Sequence, residues 1–326
     1  MELKQPGIEG FTDVTSSIQK LDDLKNLKPF YEHRQSIELR CRVSSAHLML
    51  ASPVFKAMLD GPFTESSRNK DGRFEVKTVE CSAEALLILL DIIHGHHRGV
   101  PKTLDLPLLT EMAILVDYYE CHEITEIFAD NWIASVIQED EIEGSDYQTN
   151  MSRLFTSWVF DKSALFNSVV HTILNLTAGP IQADLPLPST ILEALDQRRL
   201  SLTKQFLDNL YELLEAFWDN DGGCCTECTA IMLGTLIKQM LSFGLEVPRP
   251  MGRPAIEKSF LQLQEFSRNL KTPKWQHNSR MYCCTFEAET EDWLLTMSDI
   301  DLCLGVRFED FKLAKSVQKI IAPGLK

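Results

Sequence analysis

Recurrent amphipathic stripes at helical spacing constrain this chain more than any other feature of its sequence. Leu86, Leu89, Leu90 and Ile93 share one face after Ser82, and Leu109, Met112, Val116 and Tyr119 share another after Asp105. Ile124, Ile127, Phe128 and Trp132 follow at once. Further along, Phe206, Leu210, Leu213, Leu214 and Phe217 repeat the pattern, then Leu233, Leu236, Ile237, Met240 and Leu241, then Ile256, Phe260, Leu263 and Leu270. Each stripe must be covered by another element, so the chain is expected to build stacked helical layers. No apolar run reaches the roughly 20 residues that cross a bilayer; the richest, Ala83 to Ile93, contains Glu84 and Asp91.

Ahead of the stripes the texture differs. Ser36 to Val43 alternates apolar with polar residues and predicts a half-buried strand. Ser52-Pro53 predicts a capped helix start, Gly61-Pro62 its stop, and Phe74-Glu75-Val76 a second short strand. Short strands followed by stacked helices make 31–137 an expected compact α+β domain. Residues 1–30 are polar without sustained periodicity and are expected to form a mobile arm. The acidic run Gln138 to Asp146 predicts a self-repelling linker over 138–149, and 150–326 predicts a mainly α-helical domain.

Charge and cysteine usage narrow the function. With 32 Lys+Arg against 47 Asp+Glu, a net charge of -15 opposes non-specific attraction to nucleic acid or anionic membranes, so neither is an expected partner. The opening segment has neither a secretory apolar core nor the Arg-rich, acid-poor character of a transit peptide, which predicts an intracellular protein. Nine cysteines, odd in number and unevenly spaced, argue against a disulfide framework.

The run Val43-Ser44-Ser45-Ala46-His47-Leu48-Met49-Leu50-Ala51-Ser52-Pro53-Val54-Phe55-Lys56-Ala57-Met58-Leu59 resembles the signature of the BTB/POZ domain. The likeness continues through Ala85 to Gly95 and Leu108 to Trp132, and covers about a third of the chain. With His94-Gly95 followed by Val100-Pro101, it is similar to a large group of filamentous-fungal BTB proteins. Their helical extension resembles Trp158-Val159-Phe160, Leu185-Pro186-Leu187-Pro188 and Asp196-Gln197-Arg198-Arg199. The resemblance implies a non-enzymatic protein–protein interaction module that forms a homodimer or recruits partners. The usual Asp-Val opening strand has no clear counterpart here, since Asp13-Val14 lies too far upstream. Within the family, a hydrophobic residue, any residue, then Glu helps bind a cullin scaffold. Phe63-Thr64-Glu65 fits that pattern and implies a substrate adaptor of a cullin-type ubiquitin ligase. The resemblance further implies that His47 packs and satisfies a nearby backbone group.

Two clusters invite metal chemistry. His94, His96 and His97 fall where a helix ends, a setting that favours ordinary surface histidines. Cys225 and Cys228 have the two-residue spacing that presents two thiolates to one Zn²⁺, and His277 with Cys283 or Cys284, of which Cys284 is the choice, offers a second half-site. Buried inert cysteines and a redox pair are the alternatives to structural zinc. Nucleophile elbows, phosphate-binding loops and zincin motifs are absent. A Cys-dependent enzyme built from Cys228 and His277 is the remaining catalytic reading.

Overall fold

The computed structural model describes residues 2–4, 38–78, 81–136, 142, 144–251, 257–277, 280–281 and 284–312, with backbone alone at 2–4, 38–40, 276–277 and 280–281. The expected mobile arm therefore falls mostly outside the described residues. The chain divides into two compact units, the first running to Phe166 and the second from Asn167 to Phe311.

The α+β expectation is overturned. Among the described residues β1 (Glu2–Lys4) pairs antiparallel with β2 (Glu38–Arg40), and β3 (Gln276–His277) with β4 (Arg280–Met281). Neither ladder has a third strand, so no sheet layer underlies the helices. The described part is helical, and the strand-containing BTB/POZ domain is not what it builds. Residues 73–78 pair with nothing as a strand. There Asn69 Oδ1 instead accepts the N–H groups of Asp71 (2.9 Å) and Arg73 (3.0 Å), and the Arg68 guanidinium lies 4.4 Å from the Phe74 ring centroid. The side-chain-stabilised turn and the cation–π contact hold the start of this segment locally, without a ladder.

In the first unit, α1 (Ser45–Ala51) and α2 (Pro53–Asp60) meet at Ser52. The Ser52 hydroxyl accepts the Phe55 N–H (3.0 Å) and donates to the Tyr119 carbonyl (2.5 Å), while Phe55 stacks on Tyr119 with centroids 4.2 Å apart. One side chain thus caps a helix and fastens it to a distant one. Ser52→Ala is expected to cost about 1–2 kcal/mol, a cap plus a buried hydrogen bond, measured as a lower urea midpoint with unchanged slope.

Ser82 caps α3 (Ala83–Ile93) and Asp105 caps α4 (Leu106–Tyr119), as their sequences predict. α4 buries Leu109, Met112, Ala113 and Val116 and packs against α3 and α6 (Tyr147–Val159). α5 (His122–Val136) is fastened by Trp132, whose Nε1 donates to the Pro101 carbonyl at 2.8 Å. Although α6 follows the expected linker, it belongs to the first unit. Ile142 is buried, Asn150 Nδ2 donates to its carbonyl (3.4 Å), and Arg153 reaches the Ser145 hydroxyl (2.7 Å). Residues 137–141 and 143 lie outside the described residues.

Beyond α7 (Ser163–Leu176), the second unit is organised by α8 (Ser189–Trp218), a helix of 30 residues. It packs against α9 (Thr226–Phe243), α10 (Phe260–Arg268) and α11 (Phe286–Ser298). Phe206 meets Phe260 and Trp293 edge-on at 6.2 and 5.3 Å, and Phe217 meets Phe286 at 6.0 Å. The Asp196-Gln197-Arg198-Arg199 segment acts as a clasp. Buried Arg199 pairs with Asp196 (2.8 Å) and also reaches the Ala178 carbonyl (3.4 Å). Asp196 accepts the Ile181 N–H (3.2 Å), and Arg198 donates to the carbonyls of Asp301 (2.6 Å) and Leu302 (3.0 Å). No helix among the described residues is long and apolar enough to cross a membrane.

Candidate metal centre

Three thiols converge within the second unit. Cys224, Cys228 and Cys284 have sulfur atoms all within 4.8 Å of one another. The convergence starts from a turn: Gly223 adopts φ +82°, a conformation natural to glycine, and a Cβ there would lie 2.9 Å from Thr229 Oγ1. The Thr229 hydroxyl bonds to the carbonyls of Gly222 and Cys225, and so holds the turn against the start of α9.

Cys225 is the N-cap of α9, its sulfur accepting the Cys228 N–H at 3.4 Å. Cys224 lies just before the cap and is exposed, whereas Cys228 lies in the first turn and is buried. From the other side, Gln239 of α9 clamps Lys271 by both backbone groups, accepting its N–H (2.7 Å) and donating to its carbonyl (3.1 Å). Next door, the Thr272 hydroxyl accepts the Phe286 N–H (3.1 Å), fixing the start of α11. Cys284 immediately precedes Thr285, the α11 N-cap. The Cys224 N–H donates to Cys284 Sγ at 3.1 Å, which joins the two arms.

The sulfur cluster therefore lies at the starts of two helices, whose dipoles favour negative charge on it. Without a metal, burial and a hydrogen bond with Cys228 push the Cys284 thiol up to about 11, against the lowering effect of its bonds from Cys224. The three groups can hold a metal ion, which would displace their protons. Thiolates are soft donors and select correspondingly soft or borderline cations.

The spacing of the site differs from its sequence reading. The structure brings Cys228 and Cys284 together, but with Cys224 rather than Cys225, whose sulfur accepts an N–H of its own helix. A capping residue turns its side chain inward along the helix axis, so the residue before it is the one left to face a distant partner. The Gly222-Gly223 turn and the helix start at Thr226 were the signals that point to Cys224. His277 lies on β3, its side chain outside the described residues, as is Cys283.

The other cysteines have a different character. Cys121 is buried, and desolvation pushes its thiol up to about 12, the behaviour of a packing residue. Burial likewise raises Cys41 and Cys303.

The remaining sequence candidates lie in the first unit. Phe63 is exposed and leads into a short 3₁₀ turn, Thr64–Ser66, on which half-buried Glu65 accepts the Thr64 hydroxyl at 3.0 Å. Among the described residues His47 satisfies no backbone group: it is exposed and stacks on His94 at 5.2 Å. His94 takes that role, its Nε2 accepting the Ser44 N–H (3.0 Å) and its Nδ1 donating to the Leu90 carbonyl (2.8 Å). His96 instead faces Asp91 at 3.4 Å, and His97 meets the edge of Phe128 at 5.4 Å.

Comparison with protein-family models, with curated proteins and with solved structures finds no match.

Proposed function

We propose that the chain is a non-enzymatic interaction protein whose first unit associates with itself or recruits a protein partner, and whose second unit is tied by a structural zinc ion. The observation that carries the interaction reading is large apolar side chains left in water. Ile127 is 67% exposed, Leu50 87%, Tyr118 64% and Phe63 44%, in a unit whose core includes Leu48, Phe55 and Leu59. Solvent-facing aromatic and aliphatic groups are the raw material of interfaces, where roughly 25 cal/mol per Å² of apolar burial offsets the cost of association.

Sedimentation equilibrium of the full chain at micromolar concentration tests self-association. A dimer is expected, and a strictly monomeric chain removes this arm of the proposal. Exposure of Phe63 favours a second reading, a cullin adaptor, with Phe63 as anchor and Glu65 as polar partner. Changing Phe63→Ala and Glu65→Lys together should abolish capture of a purified cullin while leaving the melting temperature within about 2 °C of wild type, as surface substitutions do. Failure of the wild-type protein to capture the cullin would sink that reading.

For the metal, a zinc–sulfur bond of about 2.3 Å in tetrahedral geometry sets thiolates roughly 3.8 Å apart. The observed sulfurs, within 4.8 Å of one another, need to close by only about 1 Å. Cys224, Cys228 and Cys284 supply three ligands and leave a fourth position. An intracellular, reducing compartment suits such a site. A Cys-dependent hydrolase is disfavoured because Cys228 is 1% exposed and offers a substrate no approach.

A further inference from the structure

We infer that the thiol cluster is redox-regulated, with Cys224 and Cys284 closing into a disulfide under peroxide and leaving Cys228 reduced. The inference rests on the zinc reading for what the cluster does when reduced, because the same sulfurs would then be metal ligands.

Access and position select the pair. Cys224 is exposed and Cys284 half-buried, so a small oxidant reaches both, whereas Cys228 is buried in the first turn of α9. Cys225 sits beside them, but its sulfur is held by the Cys228 N–H at the helix cap. The sulfurs of Cys224 and Cys284 lie within 4.8 Å, and the 3.1 Å contact from the Cys224 N–H to Cys284 Sγ holds one sulfur against the backbone of the other residue. Closing to a disulfide bond of about 2.05 Å requires side-chain rotation within an existing contact rather than the meeting of remote segments. Both cysteines lie just outside their helices, before the α9 and α11 caps, so rotation does not unwind a turn.

The chemistry balances with hydrogen peroxide as oxidant. One sulfur attacks and breaks the O–O bond, giving a sulfenic acid and a water molecule; the second sulfur displaces hydroxide from that acid, and a second water leaves. Two thiols lose two electrons and two protons, and one peroxide becomes two waters. From the metal-bound state the sulfurs react as thiolates, solvent supplies the two protons, and the cation departs into water. Oxidation would therefore exchange a reversible metal tie for a covalent one between the same two segments.

The test uses the full chain, purified without a histidine tag, treated with hydrogen peroxide, blocked by alkylation and mapped by fragmentation mass spectrometry, with a chromogenic chelator reporting released zinc. A Cys224–Cys284 cross-link forming in step with zinc release is the expected result, retained in Cys225→Ser and Cys283→Ser and lost in Cys284→Ser and in Cys224→Ser. Circular dichroism of each variant separates loss of the cross-link from loss of the fold. A chain that carries no zinc yet forms the same cross-link overturns the metal reading and supports the switch in its metal-free form. A cross-link at Cys225, Cys228 or Cys283, or none at all in folded wild-type protein, overturns the switch whatever the zinc content.

Discussion

Protein purified without a histidine tag and never exposed to chelator is expected to carry about one equivalent of zinc, and to lose it in Cys228→Ser and Cys284→Ser. The metal would connect Cys224 to Cys284, 60 residues apart. By loop-closure entropy such a tie is worth about 4 kcal/mol. Peptide zinc fingers owe their whole fold to the metal; here Phe206, Phe217, Phe260 and Phe286 already build a core, so chelation should destabilise rather than unfold the second unit. Cys225→Ser separates the two roles of adjacent cysteines. It should keep its zinc and lose at most about 1 kcal/mol, because serine also caps helices well. Binding expels thiol protons, so zinc affinity should fall as the pH is lowered and recover on neutralisation. Less than about a tenth of an equivalent in folded protein would return these cysteines to simple packing.

Arg199→Ala is expected to cost about 3 kcal/mol, the largest effect of any single charge deletion in the second unit. Arg199 is buried while Asp196 retains partial solvent contact, and the pair also organises the Ala178 carbonyl and the Ile181 N–H. Deleting the cation strands the carboxylate and the carbonyl together. Lys204→Ala is the control: its 2.7 Å pair with Asp208 has an exposed lysine end, and it should cost less than about 0.5 kcal/mol. Urea denaturation of both variants against wild type measures the difference. A double change, Asp196→Leu with Arg199→Met, should recover part of the loss, since an apolar pair leaves no unpaired charge. An Arg199→Ala effect as small as that of Lys204→Ala would show the clasp to be dispensable.

Local signals in this chain proved legible and long-range ones did not. Ser52, Ser82 and Asp105 cap helices where their sequences place caps, because a side-chain oxygen bonding an N–H three residues ahead needs nothing beyond its own segment. The stripes from Leu109 to Tyr119 and from Phe206 to Phe217 form helices whose apolar faces are buried, because a period near 3.6 is an intrinsic property of the backbone; the Leu86 to Ile93 stripe also forms a helix, but its buried face is carried by Ile88, Leu89, Ile92 and Ile93, with Leu86 and Leu90 half-buried. A strand is different: alternation in Ser36 to Val43 and Phe74 to Val76 specifies a face, but a sheet exists only where other strands complete the ladder. Among the described residues just three of those positions, Glu38–Arg40, find a partner, so the α+β expectation fails on pairing rather than on periodicity. The acidic run suggested a boundary near 150, yet buried Ile142 and the packing of α6 on α4 carry the first unit to Phe166, a contact no local composition encodes. The thiol site divides in the same way. Its cysteine-rich helix start is visible in sequence, but which sulfur faces Cys284 depends on the Gly223 turn and on the cap taken by Cys225. Local sequence determined the helices, their caps and the supply of thiols; tertiary packing decided the fold class, the unit boundary and the set of sulfurs that meet, because those depend on segments tens of residues apart meeting in space.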